Sequence, residues 1–175
     1  MKTSIALTGF MGTGKTAVGK VLATKLGREF IELDSIIEKK AGKTIPEIFQ
    51  QDGETGFREL EIEVTKDVAG KKNAVIACGG GIVLNKINIE RLGKSARMVY
   101  LTASPGVILK RVANEEGQRP LLEVDNPTLA TREMLRFRKP FYERAADIKI
   151  DTSELDINAV SEQIISKLEG DESFD

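Results

Sequence analysis

Between residues 9 and 16 the chain reads GFMGTGKT, a segment that combines three glycines with a lysine and two threonines. The order fits G-x-x-x-x-G-K-[ST], the pattern of the phosphate-binding loop, or P-loop. Glycines allow such a loop to curl, so that its N–H groups and the N-terminus of the following helix point at phosphates. In this pattern Lys15 reaches the β- and γ-phosphates of ATP, and the Thr16 hydroxyl binds Mg²⁺. The alternative, a glycine-rich turn with a chance lysine, does not explain the complete motif.

Two carboxylates, Glu32 and Asp34, close the second apolar run of the chain. Side chains two apart on a strand point the same way, and parallel sheets bind ligands at the carboxyl ends of their strands. One carboxylate could therefore serve the water shell of Mg²⁺, which prefers oxygen ligands, and the other a substrate hydroxyl. The alternative is a helix N-cap at Asp34 beside a solvated Glu32.

Three consecutive glycines, Gly79, Gly80 and Gly81, directly follow the third apolar run. Glycines at the end of a strand permit close approach of the backbone to a ligand and present amides to an oxyanion. A tight turn would explain the same three residues. The segment is thus a second candidate binding loop.

Three arginines, Arg58, Arg119 and Arg138, have settings that favour anion binding. Arg58 lies three residues before a glutamate, Arg119 directly before a proline in a polar loop, and Arg138 two residues before another proline. The planar fork of arginine matches carboxylates and phosphates. An isolated arginine is otherwise ordinarily a solvated surface residue.

Composition excludes several classes of function. The 175 residues contain 26 Lys and Arg against 27 Asp and Glu, and this net charge of −1 disfavours nucleic-acid or membrane-surface binding. The absence of histidine removes every mechanism that uses imidazole. The single cysteine, Cys78, cannot form an intramolecular disulfide and fits a reducing cytoplasm. No apolar run approaches the roughly 18 residues that span a bilayer, so we expect a cytoplasmic protein.

The elements that position these residues follow from an alternation of short apolar runs with helical patterns, which predicts a parallel sheet with crossover helices. The predicted strands are 4–8, 30–33, 74–78, 98–101 and 148–150. Residues 34–68 form a helical excursion, and the polar loop 114–125 is a lid candidate. A last helix runs to about residue 168, followed by an acidic tail, 169–175, that we predict to be disordered. The whole chain, 1–175, forms one domain.

The helical excursion carries its own start signals. Thr44 and Glu47 have the spacing of a capping box, in which each side chain satisfies a free amide of the other residue. A second helix is predicted after Gly53, and its apolar stripe leaves Arg58 and Glu61 together on a neighbouring face.

In order, these motifs resemble the bacterial-type shikimate kinases: GFMGTGKT, FIELD, IPEIFQQDGETGFRELE, a strand ending in GGG, QRPLL and RKPFYERAADI. The resemblance extends from residue 5 to about 168. It implies an α/β P-loop NTPase three-layer sandwich with a five-stranded parallel sheet, a substrate-binding insertion at about 34–61 and a lid. It also implies ATP-dependent phosphorylation of shikimate to shikimate 3-phosphate, with Mg²⁺, in chorismate and aromatic amino-acid biosynthesis. We expect a monomer with no nucleic-acid or membrane partner.

The resemblance implies roles on the nucleotide side of the site. Lys15 and Thr16 serve ATP and Mg²⁺, and Arg119 comes from the lid to the transferring phosphate. Arg111 resembles the family's arginine beside the adenine. The residues implied to contact ATP are Gly12, Thr13, Gly14, Lys15, Thr16, Arg111 and Arg119.

Further roles are implied on the substrate side. Asp34 contacts the ring hydroxyls of shikimate and orients, or accepts the proton of, the attacking one. Arg58 and Arg138 hold the shikimate carboxylate, and the amides of Gly79, Gly80 and Gly81 line the site. The family typically has Asp-x-Asp where this chain has Glu32-Leu33-Asp34. The extra methylene of Glu32, the predicted magnesium residue beside Thr16, places its carboxylate about 1.5 Å farther out.

Two other functions fit part of the pattern. A related small P-loop kinase, for example one acting on gluconate, would use the same arginines because gluconate also carries a carboxylate. The FRELE and QRPLL segments favour shikimate. A nucleotide-binding sensor without catalysis would keep the fold, but it would not need the complete set of Lys15, Thr16, Asp34 and Arg119.

Overall fold

Five parallel strands form the central sheet of the protein. The computed structural model describes residues 1–113, 125–172 and 174. The strands are β1 (Ser4–Thr8), β2 (Glu29–Glu32), β3 (Ala74–Ala77), β4 (Ala96–Thr102) and β5 (Ile148–Asp151). They pair in the order β2-β3-β1-β4-β5, and every pairing is parallel. The predicted five-stranded parallel sheet is confirmed.

Helices cover both faces of this sheet. They are α1 (Lys15–Leu26), α2 (Leu33–Ala41), α3 (Ile45–Val68), α4 (Lys86–Ser95), α5 (Pro105–Ala113), α6 (Pro127–Ala145) and α7 (Ile157–Glu169). In β1, Ile5 and Leu7 join the apolar cluster that contains Val18 of α1 and Ile164 of α7. Ala6 points the other way, into the cluster built by α2 to α6. A strand buried on both faces reads as a continuous apolar run, and the three layers form the expected sandwich.

The predicted helical excursion from the sheet consists of α2 and α3. The predicted capping box is present, because the Thr44 hydroxyl accepts from the N–H of Glu47 and the Glu47 carboxylate accepts from the N–H of Thr44. Gly53 interrupts α3 with φ 71° and ψ −179°, a conformation that favours glycine. The helix predicted to follow Gly53 is therefore the second half of a kinked α3.

The end of β2 differs from the sequence prediction. The strand stops at Glu32, and α2 begins at Leu33, so Asp34 lies in the first turn of a helix. Strand alternation therefore does not orient Glu32 and Asp34, and the alternative N-cap at Asp34 is also wrong because Glu32 occupies that position. Both carboxylates nevertheless face one cavity, since a helix start turns the chain back over the strand end.

The carboxyl-terminal segment also differs from the prediction. The described residues after α7 pack against the body of the protein, where the sequence predicted a disordered tail over 169–175. Asp171 forms an ion pair with Arg97. The ring of Phe174 lies 4.7 Å from the Arg28 guanidinium carbon and joins the α1–α7 apolar cluster. The acidic composition of the segment predicted disorder, but Phe174 and Asp171 hold its described part against the rest of the protein.

The predicted lid, 114–125, lies outside the described residues apart from Asp125, and so does Arg119. In the described part of the chain, no helix is both long enough and apolar enough to cross a membrane.

Candidate active site

The P-loop connects β1 to α1 at the carboxyl edge of the sheet. Gly12 and Gly14 have φ values of 79° and 91°, which a residue with a Cβ rarely adopts, and Gly14 is the N-cap of α1. The buried Thr13 closes the turn, because its hydroxyl donates to the Phe10 carbonyl at 2.8 Å. The loop therefore presents the N-terminus of α1, with its partial positive charge, to the adjoining cavity.

Lys15 lies across the mouth of this loop. Its Nζ donates to the carbonyls of Gly9 at 2.8 Å and Phe10 at 3.0 Å. These contacts hold the ammonium beside the N–H groups that would bind phosphate. A bound phosphate chain would therefore meet a positive charge that is already in place.

Thr16 and Glu32 form the part of the site that suits a magnesium ion. The Thr16 hydroxyl donates to Glu32 Oε1 at 2.5 Å, and the Ser35 hydroxyl donates to Glu32 Oε2 at 2.9 Å. The longer side chain of Glu32 thus reaches the Thr16 hydroxyl, which is predicted to bind magnesium, directly. The donors are all oxygen, as Mg²⁺ requires, and the described residues contain no cluster of three or more Asp, Glu, His or Cys. Such a set fits an ion held mainly by phosphate oxygens and water.

Arg58 is held in place by a buried partner. Its Nη1 donates to Glu61 Oε1 at 2.9 Å, and its Nη2 donates to Glu54 at 3.3 Å. Glu61 is only 1% exposed, and this burial raises its pKa while the Arg58 charge opposes the shift. Glu61 is buried in α3, so it fixes the Arg58 guanidinium against Gly81.

The loop of three glycines is explained by space and not by unusual backbone angles. A Cβ on Gly79 would lie 3.0 Å from Glu61 Oε2 and 3.1 Å from Asp34 Oδ1. A Cβ on Gly81 would overlap the Arg58 guanidinium. A side chain at Gly79 or Gly81 would therefore have to displace the charged groups around it.

Arg138 approaches the same loop from α6. It is 4% exposed, and its guanidinium carbon lies 5.9 Å from the centre of the Phe10 ring. A Cβ on Gly80 would lie 3.7 Å from Arg138 Nη1 and 3.5 Å from the backbone nitrogen of Met11. Arg138 thus lies beside both the glycine loop and Phe10 of the P-loop.

A cavity of about 660 Å³ lies beside the P-loop, the end of β2 and the glycine loop, and neither Arg58 nor Arg138 lines it. Of the predicted site residues, it is lined by Gly12, Gly14, Lys15, Thr16, Glu32, Asp34, Gly79 and Gly80. Glu38, Thr44, Ile45 and Pro46, from α2 and the start of α3, close its far side. The sequence placed these four residues in the substrate region but did not identify them as lining the site.

Arg111 lies on the other side of the P-loop. Its guanidinium donates to the Gly12 carbonyl at 3.1 Å, to Thr152 Oγ1 at 3.2 Å and to the Thr152 carbonyl at 3.1 Å. Thr152 is buried and also donates to the Thr13 carbonyl at 3.3 Å. Arg111 therefore links α5, the end of β5 and the P-loop. Its predicted place beside the adenine stays a prediction.

Comparison with known proteins decides the family. A family model described as shikimate kinase matches residues 11–169. The chain belongs to the shikimate kinase family. It is 47% identical over 166 residues to a shikimate kinase of Thermodesulfovibrio yellowstonii, covering 95% of each chain. It is 48% identical to the shikimate kinase of Caldanaerobacter subterraneus, over 93% of this chain and 94% of that one.

Solved structures agree with this membership. The shikimate kinase of Acinetobacter baumannii in complex with shikimate matches with a TM-score of 0.94 and 37% identity, covering 99% of this chain and 96% of that one. A gluconokinase from Sinorhizobium meliloti matches with a TM-score of 0.56 and 17% identity, covering 94% and 90%. The second likeness shows the fold alone, and it gives no support to gluconate as the substrate.

In this shikimate kinase family member, sequence reasoning did not identify Thr152, which contacts both Arg111 and the P-loop residue Thr13. Thr152 directly follows β5, at the carboxyl edge where the other loops of the site lie, and this position alone could have identified it. Its contacts with Arg111 and Thr13 depend on the order of strands in the sheet, which the short apolar runs do not specify.

Proposed function

We propose that the protein transfers the γ-phosphate of ATP to shikimate, producing shikimate 3-phosphate for the synthesis of chorismate and the aromatic amino acids. One observation carries the proposal. Arg58 and Arg138 both meet the glycine loop, which in turn adjoins the P-loop at Met11. The phosphate-binding loop and a pair of cations suited to a carboxylate therefore meet at one glycine loop, which lines the cavity at Gly79 and Gly80.

Most of the catalytic effect is expected from positioning and charge. Lys15 neutralises charge on the transferring phosphate, and Asp34 orients, or accepts the proton from, the attacking hydroxyl of shikimate. Arg119 supplies a further positive charge to the phosphate; it lies outside the described residues and remains a proposal. Thr16 and Glu32 would hold Mg²⁺ at this end of the site, and the bound ion would supply positive charge there.

Substrate binding is assigned to the glycine loop and the two arginines that contact it. Arg58 and Arg138 hold the carboxylate, and the amides of residues 79–81 line the site. Glu61 keeps the Arg58 guanidinium in position through the 2.9 Å ion pair. Because this pair forms without substrate, little ordering of Arg58 is needed when shikimate binds.

We further propose that the enzyme works in the cytoplasm as a monomer, with shikimate and ATP as its partners and without nucleic acid or membrane. The near-neutral net charge of −1 and the single, buried Cys78 support this assignment.

Glu32→Gln is expected to raise the Mg²⁺ concentration for half-maximal rate about 5- to 10-fold and leave the KM for shikimate unchanged. The variant keeps the size of the side chain but removes a charge beside the Thr16 hydroxyl, and the loss of about 1–1.4 kcal/mol is that of an ion interaction largely screened by water. Magnesium titrations of ADP release measure the effect. Glu29→Gln, an exposed carboxylate on the same strand, is the control. An unchanged magnesium dependence would remove Glu32 from the metal site.

The proposed activity is tested by measuring ADP release with shikimate, with gluconate and without an acceptor, each with and without Mg²⁺. We expect release that depends on both shikimate and Mg²⁺. Stimulation by gluconate and not by shikimate would overturn the substrate assignment. A nucleotide-binding sensor without catalysis would release no ADP above the background with either acceptor.

A further inference from the structure

Tyr142 lies at the centre of the carboxylate side of the site, yet the mechanism above gives it no role. It is fully buried in α6, one helical turn after Arg138, so both side chains lie on the same face of the helix. Its ring stacks on the buried Tyr100 of β4, with ring centres 5.0 Å apart and planes inclined by 15°. The stack fixes the direction in which the hydroxyl points.

The Tyr142 hydroxyl and the Arg138 guanidinium meet at one glycine. The hydroxyl donates to the carbonyl of Gly80, and Arg138 Nη1 lies 3.7 Å from the position that a Cβ on Gly80 would take. A phenolic hydroxyl has one proton to donate and lone pairs to accept with. Its one proton is used in the contact with the Gly80 carbonyl.

The contact with Gly80 also orients the neighbouring amide. A trans peptide is planar, so its C=O and N–H point in opposite directions. Since the Gly80 carbonyl points at Tyr142, the N–H of Gly81 in the same peptide plane points away from it. Tyr142 thereby fixes the glycine loop and Arg138 relative to each other.

Burial supports a hydroxyl that keeps its proton. Burial raises the pKa of Tyr142, while the nearby charge of Arg138 acts in the opposite direction with a smaller effect. The group therefore remains a neutral donor to Gly80 throughout the pH range in which a kinase is assayed.

We propose that Tyr142 is a positioning residue for the substrate carboxylate: its hydroxyl holds Arg138 and the Gly80–Gly81 peptide in the arrangement that binds the acid. The part of this inference that concerns shikimate rests on the proposed function. The link between Tyr142 and Arg138 does not, and it is measured without any substrate.

The first arm uses ¹⁵N–¹H spectra of the full-length protein without ligands, recorded for arginine Nε groups. The Arg138 signal is assigned by its loss in Arg138→Lys. We expect Tyr142→Phe, which keeps the ring and removes the hydroxyl, to shift the Arg138 signal. Tyr100→Phe removes the hydroxyl of the stacked partner and should leave that signal in place. An unmoved Arg138 signal in Tyr142→Phe overturns the proposal, whatever the substrate is.

The second arm is steady-state kinetics of the same variants. Tyr142→Phe should raise the KM for shikimate about 3- to 12-fold, the cost of losing a hydrogen bond between neutral groups, with kcat within about threefold. Tyr100→Phe should leave the KM within about twofold. A merely structural role would lower the melting temperature and kcat without changing the KM, and that result overturns the proposal. If the wild-type enzyme shows no response to shikimate, the proposed function fails, and with it the assignment of the carboxylate, while the spectra still decide the link to Arg138.

Discussion

Lys15→Met is expected to lower kcat about 100- to 1,000-fold while the protein stays folded. Loss of one preorganised contact to developing charge costs about 2.7–4 kcal/mol in comparable sites. In the present structure the Lys15 ammonium is held by the carbonyls of Gly9 and Phe10, so it is in position before the nucleotide binds. Single-turnover rates and thermal melting of the variant measure both parts of the prediction.

Lys20→Met is a suitable control for this experiment, because Lys20 is an exposed lysine on the same helix. Its kcat should match that of the wild type. Retention of more than about a tenth of wild-type kcat in Lys15→Met corresponds to a loss below 1.4 kcal/mol and would contradict the placement of Lys15 at the transferring phosphate.

Arg58→Ala and Arg138→Ala should each raise the KM for shikimate about 10- to 150-fold, with a smaller effect on kcat. A charge-assisted hydrogen bond contributes about 1.5–3 kcal/mol, and contacts to the carboxylate exist in both the ground state and the transition state. Arg132→Ala, an exposed arginine on the same helix as Arg138, is the matched control. If the two alanine variants change only kcat, the arginines do not bind the carboxylate.

The structure adds a complication for Arg58→Ala. Removing this arginine leaves Glu61 buried without its ion-pair partner, which destabilises a protein by about 3–5 kcal/mol. The double variant Arg58→Met with Glu61→Gln removes both charges and should recover most of the melting temperature. Its KM for shikimate should remain raised. Recovery of the KM together with stability would mean that Arg58 acts only as a structural partner of Glu61.

The features that were predictable from the sequence are those encoded by neighbouring residues. The P-loop from Gly9 to Thr16 needs glycines, a lysine and a hydroxyl in one order, and the capping box at Thr44 needs only a residue three positions later. Each is specified within a few positions of the chain. The resemblance of the ordered motifs then supplied the family, which the comparisons confirm.

The features that the sequence did not reveal depend on distant contacts. Thr152 reaches the P-loop only because β5 ends beside β4, across an interval of more than a hundred residues from Thr13. The contact of Phe174 with Arg28 also joins two distant parts of the chain. The acidic residues around Phe174 are, by themselves, typical of a disordered tail. The start of α2 at Leu33 was missed because an apolar residue at that position continues the strand pattern of β2 equally well.

The identity of the phosphorylated product tests the central claim most directly. Shikimate and ATP are incubated with the enzyme and Mg²⁺, and the product is examined by ³¹P and ¹H NMR. The proposed function predicts one new phosphate monoester, with its phosphorus coupled to the ring proton on carbon 3 of shikimate, formed in equal amount to ADP. A phosphate on another hydroxyl, or ADP formed without any phosphorylated shikimate, would contradict the claim.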